Sequence, residues 1–232
     1  MPKTIGVLGG MGPEATADFF IKLIRRTPAR ADGEHLHVVI DSNPRIPDRT
    51  AFITGKGESP VGELVRTAKN LVGAGADFVT IPCITAHHFI DEVRAALDVP
   101  VLSALELTAR HVNEHFAKDD ALALLASAGT LEMKLFQRAM PGRTFVLPTA
   151  DEQERIVMAA IYGPAGVKTV GVDANTLKRV RDYVAELAGR GASGVIAGCT
   201  EFSVLLADAK LPVPLVDPMW LLAEEAVRLA RD

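Results

Sequence analysis

The chain has 232 residues, with 25 Lys and Arg against 29 Asp and Glu and a formal net charge of −4. That balance, with no polybasic run, excludes the basic footprint of a nucleic-acid binder. A hydrophobic share of 48% and a charged share of 23% fit a soluble globular protein, and no apolar run reaches the roughly 18 residues of a membrane span.

The opening residues MPKTIGVLGGMG read as a first strand rather than a secretion signal, because glycines soon break the apolar stretch. A cytoplasmic, reducing location is the expectation, and there a structural disulfide is not expected. The strand Thr4–Leu8 runs into a glycine turn and a helical pattern over Glu14–Arg26. A second strand follows at Leu36–Asp41. The segment Asp41–Pro60, with three prolines and no periodicity, reads as a long loop, a kind of connection that is often functional. Helix Val61–Ala74, strand Phe78–Ile81, helix Thr85–Ala96, strand Val101–Leu102 and helix Leu105–His115 come next. The remainder alternates in the same way, with strands Ala121–Leu125, Thr144–Leu147, Val195–Ala197 and Leu215–Val216. Helices are expected at Leu131–Met140, Glu152–Ile161, Asn175–Arg190, Glu201–Ala207 and Met219–Ala230. Strands alternating with helices argue for parallel sheets covered by helices.

The chain repeats itself. Its two cysteines, Cys83 and Cys199, each follow a Gly-Ala pair by eight positions (75 to 83, 191 to 199) and precede a threonine within two. Each cysteine helix leads to a proline-flanked apolar strand, around Pro100 and around Pro212 and Pro214. The fold class expected is α/β, as two pseudo-symmetric Rossmann-like lobes with parallel sheets and an active-site cleft between them. The first lobe would span 1–104 and be completed by 213–232, and the second would span 105–212. In parallel sheets ligands bind at the carboxyl ends of the strands, where both cysteines fall.

Cysteine chemistry needs thiolate character, which a helix N-terminus favours. Thr85 and Thr200 offer hydroxyls nearby. His87 and Glu201 are placed to relay protons or orient a thiol; equally, His87 reads as a capping or core histidine and Glu201 as an ordinary first-turn acid. Arg45 and Arg49 sit on the proline-rich loop as candidate forks for a substrate carboxylate or as solvated charges. Tyr162 and Lys168 lie in a glycine-rich interruption that reads either as a further polar cluster or as a surface loop. No Cys/His cluster has the spacing of a metal site. The first turn also contains G-x-G-x-x-A (Gly10 to Ala15), with Asp41 closing the second strand, the arrangement of a dinucleotide-binding oxidoreductase. Against that alternative, Pro13 removes a turn N–H and the second cysteine goes unexplained.

With GGMGPEAT (Gly9–Thr16), SNPRIPDRT (Ser42–Thr50), PCITAH (Pro82–His87), Gly129-Thr130, the Tyr162/Lys168 segment and GCTE (Gly198–Glu201), the chain resembles the cofactor-independent aspartate/glutamate racemases along nearly its whole length. The aspartate racemase branch is the most similar. The resemblance implies a homodimeric enzyme that uses no pyridoxal phosphate, metal or nucleotide and interconverts L- and D-aspartate. One thiolate would take the α-proton while the other thiol protonates the opposite face. By matching position, Cys83 and Cys199 become that pair. Arg49 and Lys168 become contacts to the distal carboxylate, with Tyr162 nearby, and Met11, Thr85 and Thr200 line the α-carboxylate and amino end. Thr130 and Glu201 join them as binding residues, with His87 and Asn43 in support. Ile84 stands where the family usually has asparagine, and Ser127 where threonine is common. Alternatives within reach are a glutamate, broad-specificity or hydantoin racemase or isomerase, and a non-catalytic two-lobed amino-acid-binding protein.

Overall fold

A computed structural model describes residues 2–232. The chain divides into two compact units, Met1–Ala104 with Met219–Asp232, and Leu105–Pro218. Each is an α/β unit built on its own parallel sheet.

The first unit centres on β1 (Ile5–Gly9), every residue of which is buried. It pairs in parallel with β2 (Val38–Ser42) on one side and β3 (Phe78–Thr80) on the other. A bridge from Val79 to Val101 extends the sheet beyond β3, where a strand is expected from the sequence. Helix α1 (Pro13–Arg26) starts with proline at its first position, where no N–H is needed, and buries Ala15, Phe19 and Leu23. The loop after β2 contains one helical turn, α2 (Arg49–Ile53), capped by Asp48 through the Ala51 N–H at 2.7 Å. The expectation of an unbroken loop over 41–60 is corrected there, because that cap satisfies the turn's first donors. Helix α3 (Val61–Gly73) covers the sheet. After β3 the expected single helix is a 3₁₀ turn, Thr85–Phe89, followed by α4 (Ile90–Ala95). Helix α5 (Ala104–His115) then carries the chain onward.

In the second unit β4 (Ala121–Ala126) pairs with β5 (Phe145–Val146) and β6 (Ala192–Gly198), and β6 pairs with β7 (Leu215–Val216), all in parallel. The helix expected over 131–140 is two short ones, α6 (Ala128–Glu132) and α7 (Leu135–Ala139). Lys134 separates them in the left-handed region, at φ 50°. The pattern over 150–162 begins as α8 (Ala150–Glu152), passes through a π-helical stretch at Gln153–Met158, and ends as α9 (Ala159–Tyr162). A turn of helix, α10 (Val167–Val170), lies in the glycine-rich interruption, ahead of α11 (Ala174–Gly189) and α12 (Thr200–Leu205). The boundary expected at 212 lies at Pro218, because β7 hydrogen-bonds within the second sheet. The last helix, α13 (Pro218–Arg231), belongs with the first unit from Met219 on. It buries Met219, Leu222, Ala223, Ala226 and Ala230, and the Lys3 N–H donates to the Ala230 carbonyl at 2.8 Å.

The internal repeat reaches backbone detail. The sheets run β2-β1-β3 and β5-β4-β6-β7, so β1 and β4 are both flanked by the strands that follow them. Gly75 and Gly191 end α3 and α11 with φ of 94° and 98°, a conformation that costs glycine nothing. Val79 N–H donates to Pro100 O and Val195 N–H to Pro214 O, both at 2.9 Å. Each of these valines stands four positions before its cysteine (79 to 83, 195 to 199).

A half-buried polar lock fastens the second unit. Glu152 completes a capping box with Thr149, accepts from the Tyr183 hydroxyl at 3.0 Å and is gripped by Arg190, whose Nη1 is 2.9 Å from Oε2. The Arg190 guanidinium, aided by the Thr149 N–H, holds the Glu152 carboxyl far below the usual carboxylate range. A lowered carboxyl value stabilises the fold above the unfolded carboxyl's value, near 4.3, and that contribution is lost as pH falls towards the folded value. Glu152→Gln should therefore melt at a lower temperature than the parent near neutral pH. The gap should narrow below about pH 4, and a gap independent of pH would refute the ionic lock.

Candidate active site

The first unit places six candidates at the carboxyl ends of its strands or just beyond. The turn after β1 is shaped by close packing. A side-chain carbon at Gly10 (φ 92°) would stand 2.3 Å from the Asn43 carbonyl carbon, and one at Gly9 2.3 Å from Thr16 Cγ2. Thr16 accepts from the Gly10 N–H at 2.8 Å. That donor, which a dinucleotide reading would aim at a pyrophosphate, is thus occupied, and Asp41 accepts from the Asn70 amide at 2.9 Å instead of standing ready for a ribose. Met11, buried, joins Ile46 and Cys83 in one apolar cluster.

Asn43 is a fastener for the loop. Its amide donates to Thr67 Oγ1 at 2.9 Å and Glu63 Oε2 at 3.2 Å, and its oxygen accepts from the Arg45 N–H. Arg66, with help from Asn43, lowers the Glu63 carboxyl. Arg49 is buried, and its Nη1 donates to the carbonyls of Ile46 at 3.2 Å and Pro47 at 3.0 Å. The loop therefore fixes its own guanidinium.

Cys83 lies three residues past β3 and is 5% exposed. His87 Nε2 accepts from the Ala104 N–H at 2.9 Å, so its proton resides on Nδ1, which donates to the Cys83 carbonyl at 2.9 Å. His87 is a neutral brace on the cysteine's backbone, and the proton-relay expectation for it is corrected accordingly. Thr85 is buried and opens the 3₁₀ turn. Ile84, in the position of the family's asparagine, is buried as well. The helix following Cys83 is 3₁₀ in its first turns, so the expected α-helical N-terminus is realised only at the second cysteine.

In the second unit Cys199 is the N-cap residue of α12. Its thiol donates to Glu201 Oε2 at 2.8 Å, and the Thr200 hydroxyl donates to the same oxygen at 3.3 Å. Glu201 is buried, and Lys168 Nζ lies 2.7 Å from its other oxygen. The ammonium also stands 5.7 Å from the centre of the Tyr162 ring. Tyr162 is itself 41% exposed, the pattern of a ring that steers a lysine from the surface. Thr130 is buried at the carboxyl end of β4, paired through its hydroxyl and N–H with Ser127, the cap of α6. Five residues expected to act together, Tyr162, Lys168, Cys199, Thr200 and Glu201, are thus in one cluster.

Two contributors escaped the sequence reading. Ser203 of α12 donates to the buried Asp217 at 2.7 Å, tying the helix that begins at Cys199 to the end of β7. Gln153 donates to the Ala126 carbonyl at 2.9 Å from the π-helical stretch, which steadies the turn after β4. Ser203 is marked in the sequence only as a polar residue inside an apolar stretch, and Gln153, within the charged run 151–155, has no signal at all. Among the described residues no group of three or more His, Cys, Asp or Glu side chains could hold a metal ion. No helix among them is long and apolar enough to cross a membrane.

This arrangement has relatives. A broad-specificity amino-acid racemase of Bacillus subtilis is 27% identical over 233 residues, with 96% of each chain covered. The solved aspartate racemase of Picrophilus torridus is 27% identical and superposes with a TM-score of 0.82, covering 99% of this chain and 94% of that one. A glutamate racemase of Francisella tularensis shares the fold at 18% identity and a TM-score of 0.66, covering 98% of this chain and 81% of that one. Residues 8–226 match the Asp/Glu/Hydantoin racemase family, to which the chain belongs.

Proposed function

We propose that the chain is an amino-acid racemase that acts on aspartate by two-cysteine proton transfer at Cα, with no pyridoxal phosphate. The observation that carries this reading is the pair of cysteines at equivalent strand ends of a repeated unit, in a chain of the racemase family. A planar carbanion formed at Cα must receive its new proton from the face opposite the one that lost it. Two thiols, one as base and one as acid, supply that exchange without a further group. The mechanism requires both sulfurs to reach one α-carbon, and like charges so close would titrate as a coupled pair. Arg49 would grip the distal carboxylate, and Met11, Thr85, Thr130 and Thr200 would hold the α-carboxylate and ammonium. A homodimer is the proposed working form.

The aspartate assignment is supported by the likeness to the Picrophilus torridus enzyme at 27% identity. A second reading, broad specificity, is favoured by the Bacillus subtilis relative and by Ile84, an apolar residue where an amide would contact the substrate's polar end.

In D₂O, L-aspartate should gain deuterium at Cα during turnover, read as loss of its α-proton signal by NMR. Product without solvent deuterium would sink the proton-transfer mechanism. Cys83→Ala and Cys199→Ala should each reduce racemisation by on the order of 10²-fold or more, the scale of a lost acid or base. Either variant racemising at the parent rate would exclude the two-base assignment. Across a panel of L-amino acids, Arg49→Ala should depress aspartate exchange far more than alanine exchange. Equal losses would favour the broad reading.

A further inference from the structure

Glu201 is 3% exposed, and a carboxylate taken out of water keeps its charge only where a cation and donors replace the solvent. Lys168 supplies the cation at Oε1, and the Thr200 hydroxyl and Cys199 thiol supply donors at Oε2. The 2.8 Å approach of Sγ to Oε2 then locates a proton. A thiolate and a carboxylate at that separation repel with nothing between them, so one proton lies between sulfur and oxygen. Lysine stabilises the negative charge on the carboxylate, which leaves the proton on sulfur.

Of the elements packed against α12, α10 brings Lys168 to this pair and α9 brings the Tyr162 ring that holds it. Asp217, the other buried acid beside α12, accepts from Ser203. The segment that follows the first cysteine differs. Residues 84–89, ITAHHF, contain no acid, and His87 is neutral with both ring nitrogens hydrogen-bonded to backbone.

We propose that Glu201 is a positioning residue that keeps the transferable proton on Cys199, so that the resting enzyme holds Cys199 as the acid and Cys83 as the base. The assignment of acid and base rests on the two-cysteine racemisation proposed above. In the turnover that starts from this form, the Cα–H bond breaks and its proton passes to the Cys83 sulfur. The Cys199 S–H bond breaks and its proton passes to the opposite face of the carbanion. Cys199 is then a thiolate against a carboxylate, the less stable of the two free-enzyme forms. It returns to rest by taking one proton from solvent while Cys83 releases one, so the proton count over the cycle is zero.

The test follows the ultraviolet absorbance of thiolate against pH, without substrate. Cys83→Ala leaves Cys199 as the single cysteine of the chain. Adding Glu201→Gln removes the carboxylate charge and leaves Lys168 facing the sulfur. Cys199 should then ionise at lower pH by roughly one unit or more, about ten-fold more thiolate at a fixed pH below the midpoint. Lys168→Met in the same background should shift ionisation the other way. Glu201→Asp, which retains the charge, should stay nearer to the parent than Glu201→Gln. Opposite shifts from the two partners are not the signature of a merely structural contact. An unchanged or higher midpoint in a folded Glu201→Gln protein overturns the proposal. Should that variant fail to fold, an unchanged or lower midpoint in Lys168→Met overturns it instead. Because the titration needs no substrate, the two readings fail separately. Shifted midpoints without exchange at Cα would uphold the hold of Glu201 on the proton and remove the racemase. Exchange at Cα without the shifts would keep the racemase and remove the role of Glu201.

Discussion

Where a parallel strand stops decides what its last side chain can do, and both cysteines owe their position to that constraint. Val79 and Val195 take their backbone partners, Pro100 and Pro214, at the start of the neighbouring strand. Proline suits that place because it accepts through its carbonyl while having no N–H to leave unpaired at a sheet edge. Pairing ends soon after, at Thr80 in the first unit and Gly198 in the second. The chain turns, and a thiol follows within three residues in each case. The same backbone argument, made twice, is why two halves with little side-chain identity present cysteine at the same point.

What the frame repeats, the side chains diversify. At Cys83 the following turn is 3₁₀ and its histidine is consumed in bracing backbone, between the Cys83 carbonyl and the Ala104 N–H. At Cys199 the following helix brings a carboxylate to the thiol, and α10 brings a lysine to the carboxylate. One thiol is followed by a segment without an acid and the other stands beside an ion pair. A reaction that needs an acid and a base gains from that difference, since two identical sites would compete for the same proton state.

The strands were legible because a parallel strand buried on both faces reads as a continuous apolar run; β1, β4 and β6 are of that kind. The repeat was legible because glycines with positive φ and edge prolines are dictated by local geometry. Breaks without such residues were not legible. Lys134 takes a left-handed conformation without being glycine, so a single helix was the natural reading across it. One-turn helices such as α2 are too short to show a period. The pairing of Lys168 with Glu201 joins residues 33 positions apart (168 to 201) and is set by packing of α10 on α12, so sequence could name both residues without naming the bond. The same holds for Ser203 and Asp217.

The glycine turn shows how one motif serves unlike ends. In a dinucleotide site glycines let backbone approach a pyrophosphate; here Gly10 lets it approach the backbone of Asn43, and Thr16 takes the freed N–H. The loop held in this way is the one that carries Arg49, whose fork is aimed by the carbonyls of Ile46 and Pro47. Lys168 shares its charge with Glu201, and Arg49 donates to the carbonyls of Ile46 and Pro47. Under the proposed reaction, Arg49 is the residue of this loop that would favour a dicarboxylate over a neutral amino acid. That loop begins where Gly10 lies close against the Asn43 backbone, a place that admits no side chain on the turn.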